Sequence, residues 1–179
     1  GWLQPVPLRA WRVDPQGSLL AVHGPGQSPL RLVPEEDFVV LSDGDLSEAE
    51  VDGPLAFAGY GVAAPEYGYD DLRGVDFKGK VAVVLQGSPA SDRPNFFPPS
   101  ARAVHADPRE KMRRLSARGA VGVLLVQTPE AEEAVPWTEV VRRSRLEELG
   151  IAEPGRPPTG VEGLPGRAIL SMQGLEKIL

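Results

Sequence analysis

The sequence predicts a β-rich α/β domain with a few short helices, and three observations carry that prediction. Two uninterrupted apolar runs, Val81-Ala82-Val83-Val84-Leu85 and Val121-Gly122-Val123-Leu124-Leu125-Val126, have strand length and no polar alternation. Such runs are buried on both faces, as central strands are. A segment with helix start and stop signals separates them, and strand–helix–strand at this spacing is a parallel unit with a right-handed crossover. Finally, the chain carries 20 glycines and 19 prolines in 179 residues, which calls for many turns and few long helices.

Taken in order, Leu8–Val13, Leu19–Val22, Leu30–Val33 and Phe38–Leu41 each read as a short strand. Asp14-Pro15-Gln16-Gly17, Gly24-Pro25-Gly26 and Ser42-Asp43-Gly44 punctuate them, so residues 2–50 read as antiparallel β. Leu55–Ala58 opens a further strand. The connection 86–107 carries Pro89, Pro94, Pro98 and Pro99 and reads as a long loop, of the kind that is functional or mobile. The helix between the apolar runs is expected over 108–118. Asp107 is its N-cap, Pro108 its first residue, and Glu110 closes a capping box. Met112 and Leu115 face inward and Gly119 ends it. Residues 137–149 admit a helix with Val140, Val141, Leu146 and Leu149 as its apolar side, and Arg142-Arg143-Ser144-Arg145 as a solvated face. Residues 153–166 read as loop and Ala168–Ser171 as a strand, with Ser171 capping a last helix from Met172.

Composition narrows the partners. The net charge is −6 and no block of Lys or Arg appears, which argues against nucleic acid and anionic membrane. There are no cysteines, so disulfides and thiolate zinc sites are excluded. No apolar run reaches the ~20 residues of a membrane span. The start, GWLQPVPL, lacks the basic region and apolar core of a signal peptide and does not begin with Met. The chain is therefore expected to be a piece of a longer one. The apolar residues of its tail, Leu175, Ile178 and Leu179, are then expected to pack poorly.

The stretch 55-LAFAGYGVAAPEYGYDDL-72 places Gly59, Gly61 and Ala64 on the G-x-G-x-x-A spacing of a dinucleotide-binding turn. That fingerprint requires a helix next, and Pro65 and Gly68 interrupt one. Its acid should end the following strand, whereas Asp76 precedes it. The nucleotide reading fails. Catalytic groups are sparse as well. The two histidines are His23 and His105, no G-x-S-x-G occurs, and Ser88 and Ser91 lie in polar loop. His105-Ala106-Asp107 has the H-x-D spacing of a zinc-ligand pair. A catalytic zinc needs three protein ligands, His23 is the only other imidazole, and Asp107 already serves as a cap. No catalytic residue, metal site or cofactor is assigned to the chain on this reading. Tyr67, Tyr69, Asp70 and Asp71 form a dense polar-aromatic cluster. It suits a hydrogen-bonding surface for a partner or peptide, or a calcium-type oxygen cluster. The simpler alternative, and the favoured one, is an Asx-turn with the rings packed over the sheet edge.

Together these segments resemble the protease-associated domain, in the form inserted in bacterial zinc-dependent exopeptidases related to glutamate carboxypeptidase and the transferrin receptor. The resemblance lies in Gly59-Tyr60-Gly61-Val62, Ala64-Pro65-Glu66, Tyr69-Asp70-Asp71-Leu72 and Gly74-Val75-Asp76-Phe77-Lys78-Gly79-Lys80-Val81. It continues in Arg118-Gly119-Ala120-Val121-Gly122-Val123-Leu124-Leu125-Val126, Thr128-Pro129-Glu130 and Pro136-Trp137. It covers roughly 55–140, and 1–54 and 155–179 more loosely. It implies a β-sandwich or open-barrel module: 1–54 as its β-rich N-terminal part, 55–140 as its core, 141–171 as a closing segment, and 172–179 as the start of a following catalytic domain. It also implies a non-catalytic role, covering the active-site cleft of a secreted or envelope zinc aminopeptidase and restricting its peptide substrates. Zinc would belong to that enzyme's catalytic domain. Under this reading, binding residues for peptide or partner are Tyr67, Tyr69, Asp70, Asp71, Phe96 and Phe97, with the 92–100 loop. The alternative is a free-standing small α/β hydrolase using His105 or Asp70 and Asp71.

Overall fold

The computed structural model describes residues 5–42, 46–89, 96–151, 161 and 163–179. In chain order the strands are β1 (Leu8–Trp11), β2 (Leu20–Val22), β3 (Leu30–Leu32), β4 (Phe38–Val40), β5 (Leu55–Phe57), β6 (Ala63–Ala64), β7 (Tyr69–Asp70), β8 (Val81–Leu85), β9 (Gly122–Val126), β10 (Glu148–Ile151) and β11 (Gly166–Leu170). The helices are α1 (Pro99–Ala106), α2 (Pro108–Ser116), α3 (Pro129–Ala134), α4 (Trp137–Ser144) and α5 (Met172–Ile178). A single 3-10 turn covers Pro65–Tyr67.

The fold is mixed α/β. Its main sheet has five strands in the order β4-β11-β9-β8-β5, and three two-stranded sheets pair β1 with β10, β2 with β3, and β6 with β7. No closed barrel forms among the described residues. The predicted parallel unit is present: β8 and β9 pair in parallel, Val81 opposite Gly122 through Leu85 opposite Val126. Parallel pairing extends further than the one unit expected, since β5 joins β8 and β11 joins β9 in the same sense. The N-terminal strands are antiparallel, but they are divided among three sheets. β4 closes the main sheet against β11, while β1 pairs with β10 and β2 with β3.

Both faces of the main sheet are buried, as the unbroken apolar runs require. Ala82 and Val84 of β8 and Val123 and Leu125 of β9 point to one face, where Leu72, Phe77, Met112 and Leu115 complete a core. Val83, Leu124 and Val126 point to the other, against Leu32, Phe38 and Leu170. Each fully buried Phe or Leu contributes about 1.5–3 kcal/mol relative to an exposed one, so both faces are needed.

α2 begins and ends on the predicted signals. The Asp107 carboxylate accepts from Arg109 N–H at 2.7 Å and Glu110 N–H at 3.4 Å. Gly119, at φ +85°, stops the helix, with Gly119 N–H on the Ser116 carbonyl at 2.8 Å and Ala120 N–H on that of Leu115 at 3.1 Å. This pair of bonds satisfies the last carbonyls. The capping box does not close: the Glu110 carboxylate turns to Arg113 and Arg114 at 3.2 and 3.5 Å.

Three expectations need correction. The connection 86–107 is not all loop, because α1 occupies its second half. Pro98 and Pro99 begin that helix, where a missing N–H costs nothing. Residues 137–149 are not one helix. α4 ends at Ser144 and the chain turns into β10, whose pairing with β1 places Leu149 opposite Ala10. Leu146 and Leu149 are consequently exposed. Trp137 and Arg145 instead fasten the segment to Glu35: the indole N–H donates to the Glu35 carbonyl at 2.8 Å, and the guanidinium grips its carboxylate at 2.7 and 2.8 Å. That guanidinium holds the Glu35 carboxyl below the usual carboxylate range.

The tail is the third. Rather than packing poorly, α5 docks on the second core through Leu175 and Ile178, and only Leu179 is almost fully exposed. Ser171 caps the helix, its Oγ accepting from Gly174 N–H at 3.0 Å and donating to the Glu36 carbonyl at 3.1 Å. Asp37, wholly buried, receives Lys177 Nζ at 2.8 and 2.9 Å and Val33 N–H at 2.8 Å. Residues 43–45, 90–95 and 152–160 lie outside the described residues, and with them parts of three predicted loops.

Asp107→Ala removes a capping acceptor at an exposed site. It is expected to lower unfolding stability by about 0.5–2 kcal/mol, read from the urea midpoint at unchanged m-value.

Candidate functional site

The glycine-rich stretch folds around an anion, and the anion is its own. After β5 the chain turns through Gly59 at φ +52° and Gly61 at φ +67°, conformations that L side chains rarely adopt. The turn aims the Tyr60 and Val62 N–H groups at one carboxylate oxygen of Asp71, at 2.8 and 3.3 Å. Converging backbone N–H groups make the kind of concavity that binds phosphate, and here Asp71 fills it. A Cβ at Gly59 would fall 2.5 Å from the Asp71 carboxylate, so the first glycine is required for close approach. A three-residue 3-10 turn follows where a dinucleotide site needs a helix. Asp76 stays in the turn before β8, accepting from Lys78 N–H at 3.1 Å.

The predicted aromatic residues come together beside this turn. Tyr67 and Tyr69 lie 5.2 and 5.6 Å from Phe97, and Phe96 lies 5.3 Å from Phe97 and 6.1 Å from Tyr69, ring centre to ring centre. Phe97 is fully buried among Val62, Ala64 and Ala101, while Tyr67, Tyr69 and Phe96 are half-buried. Asp70 forms the predicted Asx-turn, accepting from Leu72 N–H at 2.9 Å. The Tyr69 hydroxyl donates to Asp71, and burial first, with that carboxylate second, pushes its pKa up. The structure thus joins all six candidate residues in one patch, and accounts for Asp70 and Asp71 by bonds within it. Of the 92–100 loop, residues 92–95 lie outside the described residues.

His105 and Asp107 do not act as a pair. His105 is buried against Phe97 at 5.2 Å, with Nδ1 at 3.2 Å from Arg114 and Nε2 at 3.8 Å from Glu66. Asp107 caps α2. His23 lies in the turn between β2 and β3. Among the described residues no three His, Asp or Glu side chains gather as metal ligands.

Lys111 is the residue that sequence reasoning missed. It is wholly buried. Its ammonium donates to the Leu85 carbonyl at 2.9 Å and the Gly87 carbonyl at 2.5 Å, at the C-terminal end of β8. It also lies 5.7 Å from the centre of the Tyr60 ring. Burial lowers its pKa to about 8, with Asp71 opposing and Arg114 assisting the shift. A signal was available: Lys111 precedes Met112 and stands four residues before Leu115, on the stripe that faces inward. Together Lys111, Tyr60 and Asp71 tie α2, the end of β8 and the glycine turn into one rigid support beneath the aromatic patch.

Comparison with family models and with curated proteins finds no match to this chain. Among the described residues no helix is long and apolar enough to cross a membrane.

Lys111 also sets a pH dependence. Its folded pKa of about 8 lies below the ordinary lysine value of 10.5, so between these values the unfolded chain binds more protons and stability rises with pH. Wild-type stability minus that of Lys111→Met is expected to increase by on the order of 2–3 kcal/mol from pH 7 to above 10.5. Urea unfolding across that range checks it, and a flat difference would contradict the burial of the charge. Adenosine nucleotides, finding the turn filled by Asp71, are expected to leave the Tm unchanged at every concentration.

Proposed function

We propose that this chain is a non-catalytic protease-associated module of a zinc aminopeptidase-like enzyme, covering the active-site cleft and restricting or positioning peptide substrates. The observation that carries the reading is the order of the resembling segments along the chain. Gly59 to Leu72 forms the turn around Asp71, Gly74 to Val81 leads into β8, and Arg118 to Val126 is the helix stop and β9. The segments are therefore contiguous parts of one core. In this reading the open sheets belong to a protease-associated β-sandwich. Peptide or partner meets Tyr67, Tyr69 and Phe96, whose half-buried rings offer apolar faces on a support held by Asp71 and Lys111. Rigid aromatics suit contact surfaces, since they lose little conformational freedom on binding. The zinc and the compartment, secreted or cell envelope, are those of the host enzyme.

Two measurements test the reading. The purified chain, given leucyl-p-nitroanilide and zinc, is expected to show no turnover above the blank. Turnover abolished by His105→Ala would favour a hydrolase instead. In the host enzyme, Tyr67→Ala with Tyr69→Ala is expected to raise KM for peptides roughly three- to tenfold while leaving kcat on the small nitroanilide unchanged. Unchanged KM for every peptide length would remove the patch from substrate contact.

A further inference from the structure

The main sheet has two edges, and they are finished differently. At one edge, β4 is already met by its own chain: Pro34 bridges Phe38, and Glu35 N–H donates to the Phe38 carbonyl at 2.7 Å. At the other edge lies β5, which pairs with β8 and has no second strand neighbour among the described residues. Val81 N–H donates to the Pro54 carbonyl at 3.0 Å, and Ala58 N–H donates to the Val83 carbonyl at 2.9 Å. The even-numbered residues here therefore face β8. Leu55 and Phe57 alternate with them and turn their N–H and C=O groups outward. Neither residue is charged or a proline, the usual guards of such an edge.

The side chains repeat the asymmetry. Leu55 and Phe57 stand opposite Val81 and Val83, on the face of the second core. That core still buries Val83, at 8% exposure, and ends before β5, where Leu55 is 39% and Phe57 63% exposed. An apolar row thus runs off an open edge. An extended strand completes both, because it offers N–H and C=O groups at the spacing of Leu55 and Phe57. The edge is also its own complement. Laid antiparallel about a two-fold axis at Ala56, Leu55 meets Phe57 of a second copy, and Phe57 meets Leu55 of that copy. Each such pair exchanges two hydrogen bonds, and each sets leucine beside phenylalanine on the same face. One step further, Pro54 comes opposite Ala58 and Gly53 opposite Gly59, so no like charges are brought together.

We infer that β5 is the contact through which a second copy of this chain docks, joining two five-stranded sheets into one along the Leu55 and Phe57 edges. So short an edge makes a small interface, so the association is weak and reversible, and a two-fold contact closes at two copies. The inference rests on the main sheet and does not depend on the accessory reading. Sedimentation equilibrium of the chain is run from roughly 10 μM to 1 mM, the range of weak association. The mass is expected to rise from 19.2 kDa toward twice that value and no further. Over the same range, amide exchange at Leu55 and Phe57 should slow roughly threefold or more, while Ala56, bonded to β8, is unchanged. Phe57→Lys, at a position already mostly exposed, should hold the chain at the monomer mass throughout. Leu149→Lys, on the exposed side of β10, should leave association intact. A mass fixed at the monomer, growth past the dimer, association kept in Phe57→Lys or association lost in Leu149→Lys overturns the inference. Should Phe57→Lys fail to fold, exchange at Leu55 and Phe57 that ignores concentration overturns it alone.

Discussion

β8 and β9 alternate their side chains between two faces, and both faces are apolar, so the rest of the chain has to supply two covers. α2 covers one, with Met112 and Leu115 laid against Ala82, Val84, Val123 and Leu125. The other draws on distant parts of the described chain: Leu32 of β3 and Phe38 of β4 from the first, and Leu170 of β11 with Leu175 and Ile178 of α5 from the last. This requirement explains why β4 and β11 join β5, β8 and β9 in one sheet, and why α5 packs against it. The polar bonds follow the same need. Asp37 joins the turn before β4 to Lys177 of α5 in the place where the second cover must close.

The same sheet also organises the candidate site. Glycine-rich turns after strands are common anion holders, and this one holds a carboxylate from eleven residues on. An internal anion makes the turn a fixed piece of scaffold. Lys111 completes it from below, on two carbonyls at the end of β8. A buried ammonium is tolerated only with such partners, and burial still lowers its pKa. The half-buried rings thus lie beside a turn whose Tyr60 and Val62 N–H groups are bound to Asp71.

What was legible in the sequence depended on how local the cause was. Asp107, Gly119 and Ser171 act within one turn of chain, and each performs the predicted capping or stopping role. The apolar runs of β8 and β9 announce their burial by composition alone. The errors share a different origin. Leu149 was placed on a helix by its spacing, but pairing with β1, far away in the chain, makes it part of a strand. The prolines before α1 looked like loop because they mark a helix start only when helical residues follow. Tyr67, Tyr69, Asp70 and Asp71 were legible as a cluster and Phe96 and Phe97 as candidates in a loop, whereas the meeting of the two groups, like the bond from Lys111 to Gly87, needed the chain to be folded before it could be seen.

The position of β11 has a consequence for biosynthesis. It is the strand inserted between β9 and β4, yet it follows every other described strand in the chain. Until it leaves the ribosome, β9 presents an unpaired apolar edge and β4 has no neighbour to join. Sheets with an open edge of that kind recruit foreign strands, and contacts between residues this distant form slowly. The nascent chain thus stays vulnerable to mispairing from the completion of β9 until β11 emerges, and that strand, locked by α5, ends the exposure in a single step.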